Sequence, residues 1–376
     1  VNAPRPIAVH AVTKGGLAVA ARLVTALGAE LRVPEHLRAL APAGAVAFPL
    51  PVSEALAASF HRQRAHVFVM AVGAVVRMIA PLLVSKWQDP AVVCVDEAGC
   101  FAVSVLSGHA GGGNALAAEV ASALGAQAVV TTASDVLGTL SVDLLGRDLG
   151  WTLECPAVNA TRASAAVVNG APVLLVQEAG EPGFWPEDRP WPAHVVRSEA
   201  LGSDDPALFD AVLVVTDRLP HDSERPVFDR AMLYRPRSLV LGVGCDRGTP
   251  ADLVQRGVED VLARHHLALA SVREIATIDV KSEEPALRAL AARLGCPLRL
   301  FPAADLDRAG GVESFSETVR RHVGTRAVAE PAALLAAGAR RLLVPKQVYT
   351  EPGAGRSMTL AAARIPFARA RRTGDA

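Results

Sequence analysis

The sequence predicts an α/β protein in three parts: an N-terminal three-layer α/β domain, a small middle α/β domain and a C-terminal three-layer α/β domain. Three observations predict it. Apolar strand-like runs alternate with amphipathic helical runs at both ends of the chain, the pattern of sheets covered by helices. The chain is 51% hydrophobic but only 4% aromatic, so Ala, Val and Leu fill layers whose strands are buried on both faces. Its 376 residues exceed one ordinary core and imply two or three domains.

Ile7–Thr13 reads as a first strand, Gly15-Gly16 as a turn and Leu17–Leu27 as an amphipathic helix. Ala45–Pro49 and Val67–Val72 read as strands, Val52–Phe60 and Ala74–Leu83 as helices. Val92–Asp96 and Phe101–Val105 flank Glu97-Ala98-Gly99 with hairpin character. A Gly-rich loop follows, then a helix over Ala115–Leu124 and a short strand over Val129–Thr132. In the middle, Leu140–Leu149 and Thr161–Val168 read as helices, and Val173–Gln177 and Ala211–Val215 as strands. Glu181–Pro192, rich in Pro, Trp and charge, reads as a mobile loop. Leu239–Val243 opens a second strand–turn–helix unit, with Thr249 as N-cap of a helix from Pro250 to His265. Glu274–Asp279, a helix over Glu283–Leu294 capped by Ser282, Leu298–Phe301, a helix over Ala332–Ala337, and strands at Arg341–Val344 and Leu360–Ala363 complete it. The expected boundaries are 1–134, 135–220, a Pro-interrupted linker at 221–237, 238–367 and a disordered tail at 368–376.

Composition excludes several function classes. Lys plus Arg equals Asp plus Glu at 38 each, and basic residues cluster only in the tail Arg369–Arg372, so nucleic acid is not an expected partner. Five scattered cysteines, Cys94, Cys100, Cys155, Cys245 and Cys296, include no Cys-x-x-Cys pair. That pattern fits a reducing compartment rather than a disulfide framework or zinc site. The apolar run Ala65–Val84 contains Arg77 and Pro81 and breaks at Gly73; an Arg at a helix centre costs roughly 2.5–3.5 kcal/mol on insertion scales. It therefore reads as strand plus helix, with no membrane partner. No secretory leader is read, and a cytoplasmic location is expected.

The strongest motif is Leu106-Ser107-Gly108-His109-Ala110-Gly111-Gly112-Gly113-Asn114. A buried strand runs through glycines into a helix. Free amides at a helix start carry partial positive charge and suit a carboxylate or an oxyanion. His109 adds a group that exchanges protons near neutral pH. The plainer reading is a tight turn with Asn114 as N-cap and His109 merely exposed. Gly-Lys-Ser/Thr and Gly-x-Ser-x-Gly are both missing, so it is neither a P-loop nor a nucleophile elbow.

A second turn, Gly242-Val243-Gly244-Cys245-Asp246-Arg247-Gly248-Thr249, approaches a dinucleotide fingerprint but has one residue too many before its last glycine. Arg247 beside a helix start suits an anion; local capping is the plainer reading. Weaker candidates are Lys86 with Asp89, Asp96 with Glu97, Thr131 and Thr132 with Asp135, and Lys281 with Glu283 and Glu284. His265-His266 reads as a helix end. No His, Cys and Asp spacing suggests a protein-bound metal.

A whole-chain resemblance gathers these residues. Met70–Arg77, Ile79–Leu83, Lys86, Asp89-Pro90, Val95-Asp96-Glu97, Leu106–Asn114 and Val130–Asp135 resemble the N-terminal signature of the cobalt-precorrin-5A hydrolases of cobalamin biosynthesis. Val142-Asp143 matches in the middle, and Arg235–Thr249, Ile278–Glu284, Val328–Glu330 and Lys346 in the C-terminal part. That last part also resembles a stand-alone protein of the aerobic pathway. The chain departs at Ala110 and Gly113, where the family more usually carries Leu and Ala; both swaps reduce bulk and leave His109 and Asn114 in place.

The resemblance implies opening of a δ-lactone on a cobalt corrinoid, with release of acetaldehyde. The cobalt belongs to the substrate, and no protein cofactor or metal site is implied. Neighbouring enzymes of the pathway are the candidate partners. On this reading His109 activates water or shuttles a proton, and its role as base, acid or binder stays open. The amides of Gly111, Gly112 and Gly113 hold the oxyanion. Glu97, Asp135 or Lys86 serves the C–C cleavage. Ser107, Gly108, Asn114, Thr131, Thr132, Gly242, Gly244, Arg247, Thr249, Lys281 and Glu283 are expected to bind substrate. Ser107 as covalent nucleophile is disfavoured, because no Ser-His-Asp order can be read. Two other classes compete: a non-catalytic corrinoid carrier, and a nucleotide-binding oxidoreductase built on the turn at Gly242.

Overall fold

A computed structural model describes residues 6–85, 88–109, 111–133, 138–186, 188–312, 325–353 and 355–367. In chain order the first part contains β1 (Ile7–Ala11), α1 (Lys14–Leu27), β2 (Glu30–Pro34), β3 (Val46–Phe48), α2 (Val52–Ala57), β4 (Ala65–Val69), α3 (Val72–Ile79), β5 (Ala91–Val95), β6 (Phe101–Leu106), α4 (Gly113–Leu124) and β7 (Gln127–Val129). The strands form one sheet in the order β3-β2-β1-β4-β5-β6-β7. The first five are mutually parallel, β6 runs antiparallel to β5, and β7 is parallel to β6.

Every residue of β1, β4 and β5 is buried, as continuous apolar runs of parallel strands require when helices cover both faces. Leu17, Ala20 and Leu23 of α1 join Leu116, Ala117 and Val120 of α4 on one face, against Val9, Val67 and Val93. Leu56 of α2 and Val75 and Ile79 of α3 cover the other, against Phe68, Val92 and Cys94. Thr13 caps α1 by accepting the Gly16 amide at 3.1 Å. The Asp96 carboxylate accepts the amides of Ala98, Cys100 and Phe101, which turns the chain from β5 into β6. This hairpin matches the sequence reading and decides where the site sits. Reversing at β6 carries the Gly-rich loop to the end of the sheet where β5 begins, away from the end where β1, β4 and β5 finish.

The chain forms two compact units, Val1–Leu144 and Leu145–Ala376. The second holds two sheets. One comprises β8 (Thr152–Glu154), β9 (Val173–Gln177), β10 (Val195–Ser198), β11 (Ala211–Val215) and β12 (Met232–Arg235), in the order β10-β9-β11-β12-β8 with only β8 antiparallel, together with α5 (Ala157–Val168) and α6 (Arg225–Arg230). The other comprises β13 (Leu239–Cys245), β14 (Val272–Ile278), β15 (Leu298–Phe301), β16 (Val344–Thr350) and β17 (Ser357–Arg364), ordered β15-β14-β13-β17-β16. Here α7 (Ala251–Arg264) and α8 (Pro285–Leu294) pack on one face, and α9 (Ala303–Arg308) and α10 (Ala329–Ala337) on the other. Asp217, fully buried just past β11, accepts two hydrogen bonds from Arg364 at 2.7 Å each and one from the Ser238 hydroxyl. That cluster ties the two sheets of this unit together.

Several expectations are corrected. The predicted linker 221–237 instead carries α6 and β12, and β12 lies between β11 and β8 inside a sheet; Pro226 and Pro236 merely bracket it. The predicted helix Leu140–Leu149 is instead a series of turns ending in a single 3-10 turn over Arg147–Leu149, with Gly146 before it at φ 70°, where a Cβ would fall 2.0 Å from the Trp151 ring. Thr249 does not cap α7; Pro250 holds that position, and the Thr249 hydroxyl donates to the Asp246 carbonyl. Glu284, not Ser282, precedes α8. The loop 181–192 is organised by its own aromatic contacts. Trp191 packs edge-on to Phe184 and Trp185 and lies under the Arg197 guanidinium, 4.0 Å from the ring centre. β2, β8, β10 and β12 are strands that the sequence pattern does not predict, and the strand expected at Arg341–Val344 begins at Val344 instead. The predicted tail 368–376 lies outside the described residues.

Candidate active site

The Gly-rich loop is built from close backbone contacts. Ser107, leaving β6, takes φ +52°, an unusual conformation for a residue with a side chain. Its hydroxyl donates to the Asp89 carbonyl at 3.0 Å. A Cβ on Gly111 would meet the Ser107 Cβ at 2.4 Å, and one on Gly113 would meet the Leu106 carbonyl oxygen at 2.8 Å. These glycines let the chain fold back on the strand end. Gly108 meets the Asn114 side chain in the same way.

The loop's amides are largely spent inside it. Gly112 N–H donates to His109 O, Gly113 N–H to Ser107 O and Asn114 N–H to Gly108 O, at 2.9–3.0 Å. The expected oxyanion cradle from Gly111 to Gly113 is therefore corrected: two of its three donors already have acceptors, leaving the Gly111 amide without a backbone acceptor among the described residues.

Asn114 is not the N-cap, which falls on Gly112. Its Oδ1 accepts from the Ser104 hydroxyl at 2.8 Å, and its Nδ2 donates to the Thr132 hydroxyl at 2.9 Å. It thereby fastens the start of α4 to β6 and to the segment after β7. Thr132 belongs to the loop's surroundings, and Thr131 is exposed next to it.

His109 has a partner that spacing did not reveal. Its Nδ1 lies 3.3 Å from Asp143 Oδ1, with the two side chains 10% and 12% exposed. The pair is separated by 34 residues and a turn; the single sequence signal was the Val142-Asp143 match. Asp89, also buried, accepts the Val84 amide on both carboxylate oxygens, so the segment before β5 is bound to the same end of the sheet.

The other candidates divide. Lys86 and Asp135 lie outside the described residues. Glu97 is exposed in the β5–β6 turn, where it accepts a hydrogen bond from the Thr13 hydroxyl, at the end of the sheet opposite His109. The structure does not bring these two together.

In the second unit the turn after β13 is mainly structural. A Cβ on buried Gly242 would fall 1.8 Å from the Ala329 carbonyl oxygen, and one on Gly244 would fall 2.7 Å from the Thr359 hydroxyl. Their glycines serve helix and strand packing, which corrects their assignment to ligand binding. Thr249 is buried, and Glu283 is exposed against Arg288. The acidic group that joins the turn is Glu284, which accepts from Gly248 N–H at 3.0 Å and from Lys281 Nζ at 2.9 Å. Burial acts to raise the Glu284 pKa. The Lys281 hydrogen bond, the Gly248 amide and the nearby Arg247 charge outweigh it and hold the carboxyl below its usual value. Burial pushes the Cys245 thiol up to about 11, against the pull of Lys281, so it stays protonated near neutrality. Arg247 is exposed.

Among the described residues, no group of three or more His, Cys, Asp or Glu side chains is arranged for a metal ion, and no helix is long and apolar enough to cross a membrane.

Comparison with known proteins agrees with the resemblance. Residues 54–135 match the family described as cobalamin synthesis G N-terminal, 140–236 the cobalamin biosynthesis central region and 239–363 the cobalamin synthesis G C-terminus. A cobalt-precorrin-5A hydrolase of Priestia megaterium is 39% identical over 308 residues, 82% of this chain and 80% of its own length. The protein of that name from Salmonella typhimurium is 33% identical over 88% of this chain and 92% of its own. Protein CobE of a Sinorhizobium species is 37% identical over 30% of this chain and 73% of its own. With all three family segments in order and relatives matched over most of its length, the chain belongs to the cobalamin synthesis G family, that of the cobalt-precorrin-5A hydrolases.

Proposed function

We propose that this protein is a cobalt-precorrin-5A hydrolase whose chemistry is centred on His109. The observation that carries the site is the His109–Asp143 pair, held at 3.3 Å beside the glycine loop. The family supplies the reaction; the pair supplies a group in this chain able to move protons near neutral pH.

In the reaction, water adds to the lactone carbonyl and the acyl C–O bond breaks, leaving a carboxylate on the corrinoid and a free hydroxyethyl group. His109 takes the proton from the attacking water and returns it to the leaving alkoxide. The hydroxyethyl oxygen then loses its proton, and the C–C bond to the macrocycle breaks. Acetaldehyde leaves, while the bonding electron pair stays on the ring and is quenched by a proton. Lys86 and Asp135, which flank the loop in sequence, are the candidates for these last transfers. Glu97 is not, because of its place on the sheet. Ser107 holds the loop through Asp89 rather than attacking. The cobalt belongs to the substrate, the enzyme needs no cofactor of its own, and neighbouring cytoplasmic enzymes of the pathway deliver and take the corrinoid.

Incubation of the purified chain with cobalt-precorrin-5A tests this reading. Stoichiometric acetaldehyde, with the matching mass change in the corrinoid, is the expected result. Tight corrinoid binding without turnover would instead identify a carrier.

A further inference from the structure

We infer that Asp143 is the positioning residue for His109, fixing Nε2 as the nitrogen that handles the proton in the proposed reaction. The inference rests on the reading of His109 given above and adds a residue to it.

An ionised carboxylate only accepts hydrogen bonds. With Asp143 Oδ1 at 3.3 Å from Nδ1, the neutral imidazole carries its proton on Nδ1 and keeps its lone pair on Nε2. When Nε2 gains a proton, the carboxylate faces an imidazolium and holds it as its hydrogen-bond partner. Both side chains are nearly buried, at 10% and 12% exposure, so the interaction is less weakened by water than a surface pair.

The backbone around Asp143 suits this task. Leu140 and Val142 are buried at 1% and 2% exposure. A turn closes from the Leu144 amide to the Ser141 carbonyl at 3.0 Å, which sets Asp143 at its third position. Two buried apolar anchors and a closed turn hold the carboxylate before substrate arrives, so little ordering is left for the reaction itself. On the other side, His109 O accepts the Gly112 amide, so the glycine loop fixes the imidazole's own backbone.

The test compares Asp143→Asn, Asp143→Glu and His109→Ala in the full chain, with cobalt-precorrin-5A as substrate. An Asn at 143 can donate to Nδ1 and favours the opposite tautomer. For Asp143→Asn we expect kcat to fall on the order of 10²-fold with KM within about twofold of wild type. Asp143→Glu should recover part of the rate. Nitrogen NMR of histidine-labelled protein should show His109 protonated on Nδ1 in the wild type and on Nε2 in Asp143→Asn, a readout independent of turnover. If His109→Ala is inactive while Asp143→Asn keeps its rate and tautomer, Asp143 is overturned as positioning residue and the reading of His109 stands. If His109→Ala releases acetaldehyde normally, both fall together.

Discussion

Glu97 and His109 stand at opposite ends of β6. The strand spans six residues and runs antiparallel to β5, so the turn holding Glu97 and the loop holding His109 leave the sheet in opposite directions. At about 3.4 Å per residue the separation along the strand is roughly 20 Å. Glu97→Gln should therefore keep acetaldehyde release within about threefold of wild type, apart from any loss of the Thr13 contact at the start of α1. A loss of several orders of magnitude in kcat at unchanged stability would show that Glu97 works at the reacting centre.

Asn114 bridges two hydroxyls, accepting from Ser104 and donating to Thr132. Asn114→Leu leaves both hydroxyls without this partner and should destabilise the chain by about 1–3 kcal/mol as well as slowing turnover, because the loop is anchored through this side chain. Asn114→Asp should be tolerated far better, since the Thr132 hydroxyl can rotate to donate to a carboxylate. Chemical denaturation of the two variants checks this; equal losses would mean that the bridge contributes nothing specific.

Buried histidines govern acid stability in the first unit. His66 Nε2 donates to the Phe60 carbonyl and its Nδ1 meets His10 Nε2, both at 3.0 Å, an arrangement that two neutral rings satisfy with His10 as donor. Burial pushes the His66 pKa down to about 4, and the Arg32 and His61 charges add to it against the Phe60 hydrogen bond. Burial, then His66 and Arg32, hold His10 well below its ordinary value too. Both rings protonate more readily in the unfolded chain. Stability is therefore complete above about pH 6.5 and is lost as the pH falls toward 4; the gap for His66 alone is about 3 kcal/mol. Urea midpoints measured between about pH 7 and pH 4.5 should fall steeply, and His10→Phe with His66→Leu should flatten the fall. Midpoints of the native chain that ignore pH in this window would contradict it.

Gly242→Ala places a Cβ 1.8 Å from the Ala329 carbonyl oxygen, a backbone atom of α10. Neither the strand nor the helix can yield cheaply, so the cost should reach about 3 kcal/mol or prevent folding. Arg247→Ala, on an exposed part of the same turn, should change Tm little. If Gly242→Ala is as stable as wild type, the packing account of this glycine is wrong.

Much of the fold was legible because its signals are local. Apolar runs marked β1, β4, β5 and β13, and Asp96 with Gly99 marked the hairpin. β2 is hidden in the sequence because charged Glu30 and Arg32 alternate with its buried residues, where they pair with each other while only partly buried. β12 was missed because prolines bracket it. The site was legible only in part. Glycines that admit a ligand and glycines that admit a helix look alike in sequence, so Gly242 resembled a binding turn. Asp143 reaches His109 through the tertiary fold, which no spacing rule encodes. The hairpin is legible in the sequence, but its consequence, that strand reversal separates Glu97 from the loop, becomes visible only in the strand register.

Replacement of His109 tests the central claim most directly. His109→Ala, confirmed folded by its thermal unfolding, is incubated with cobalt-precorrin-5A, and acetaldehyde is followed over time. Loss of a group that moves protons at the reacting centre should slow release on the order of 10²- to 10⁴-fold while corrinoid binding persists. Release at the wild-type rate would contradict the assignment of the chemistry to this loop.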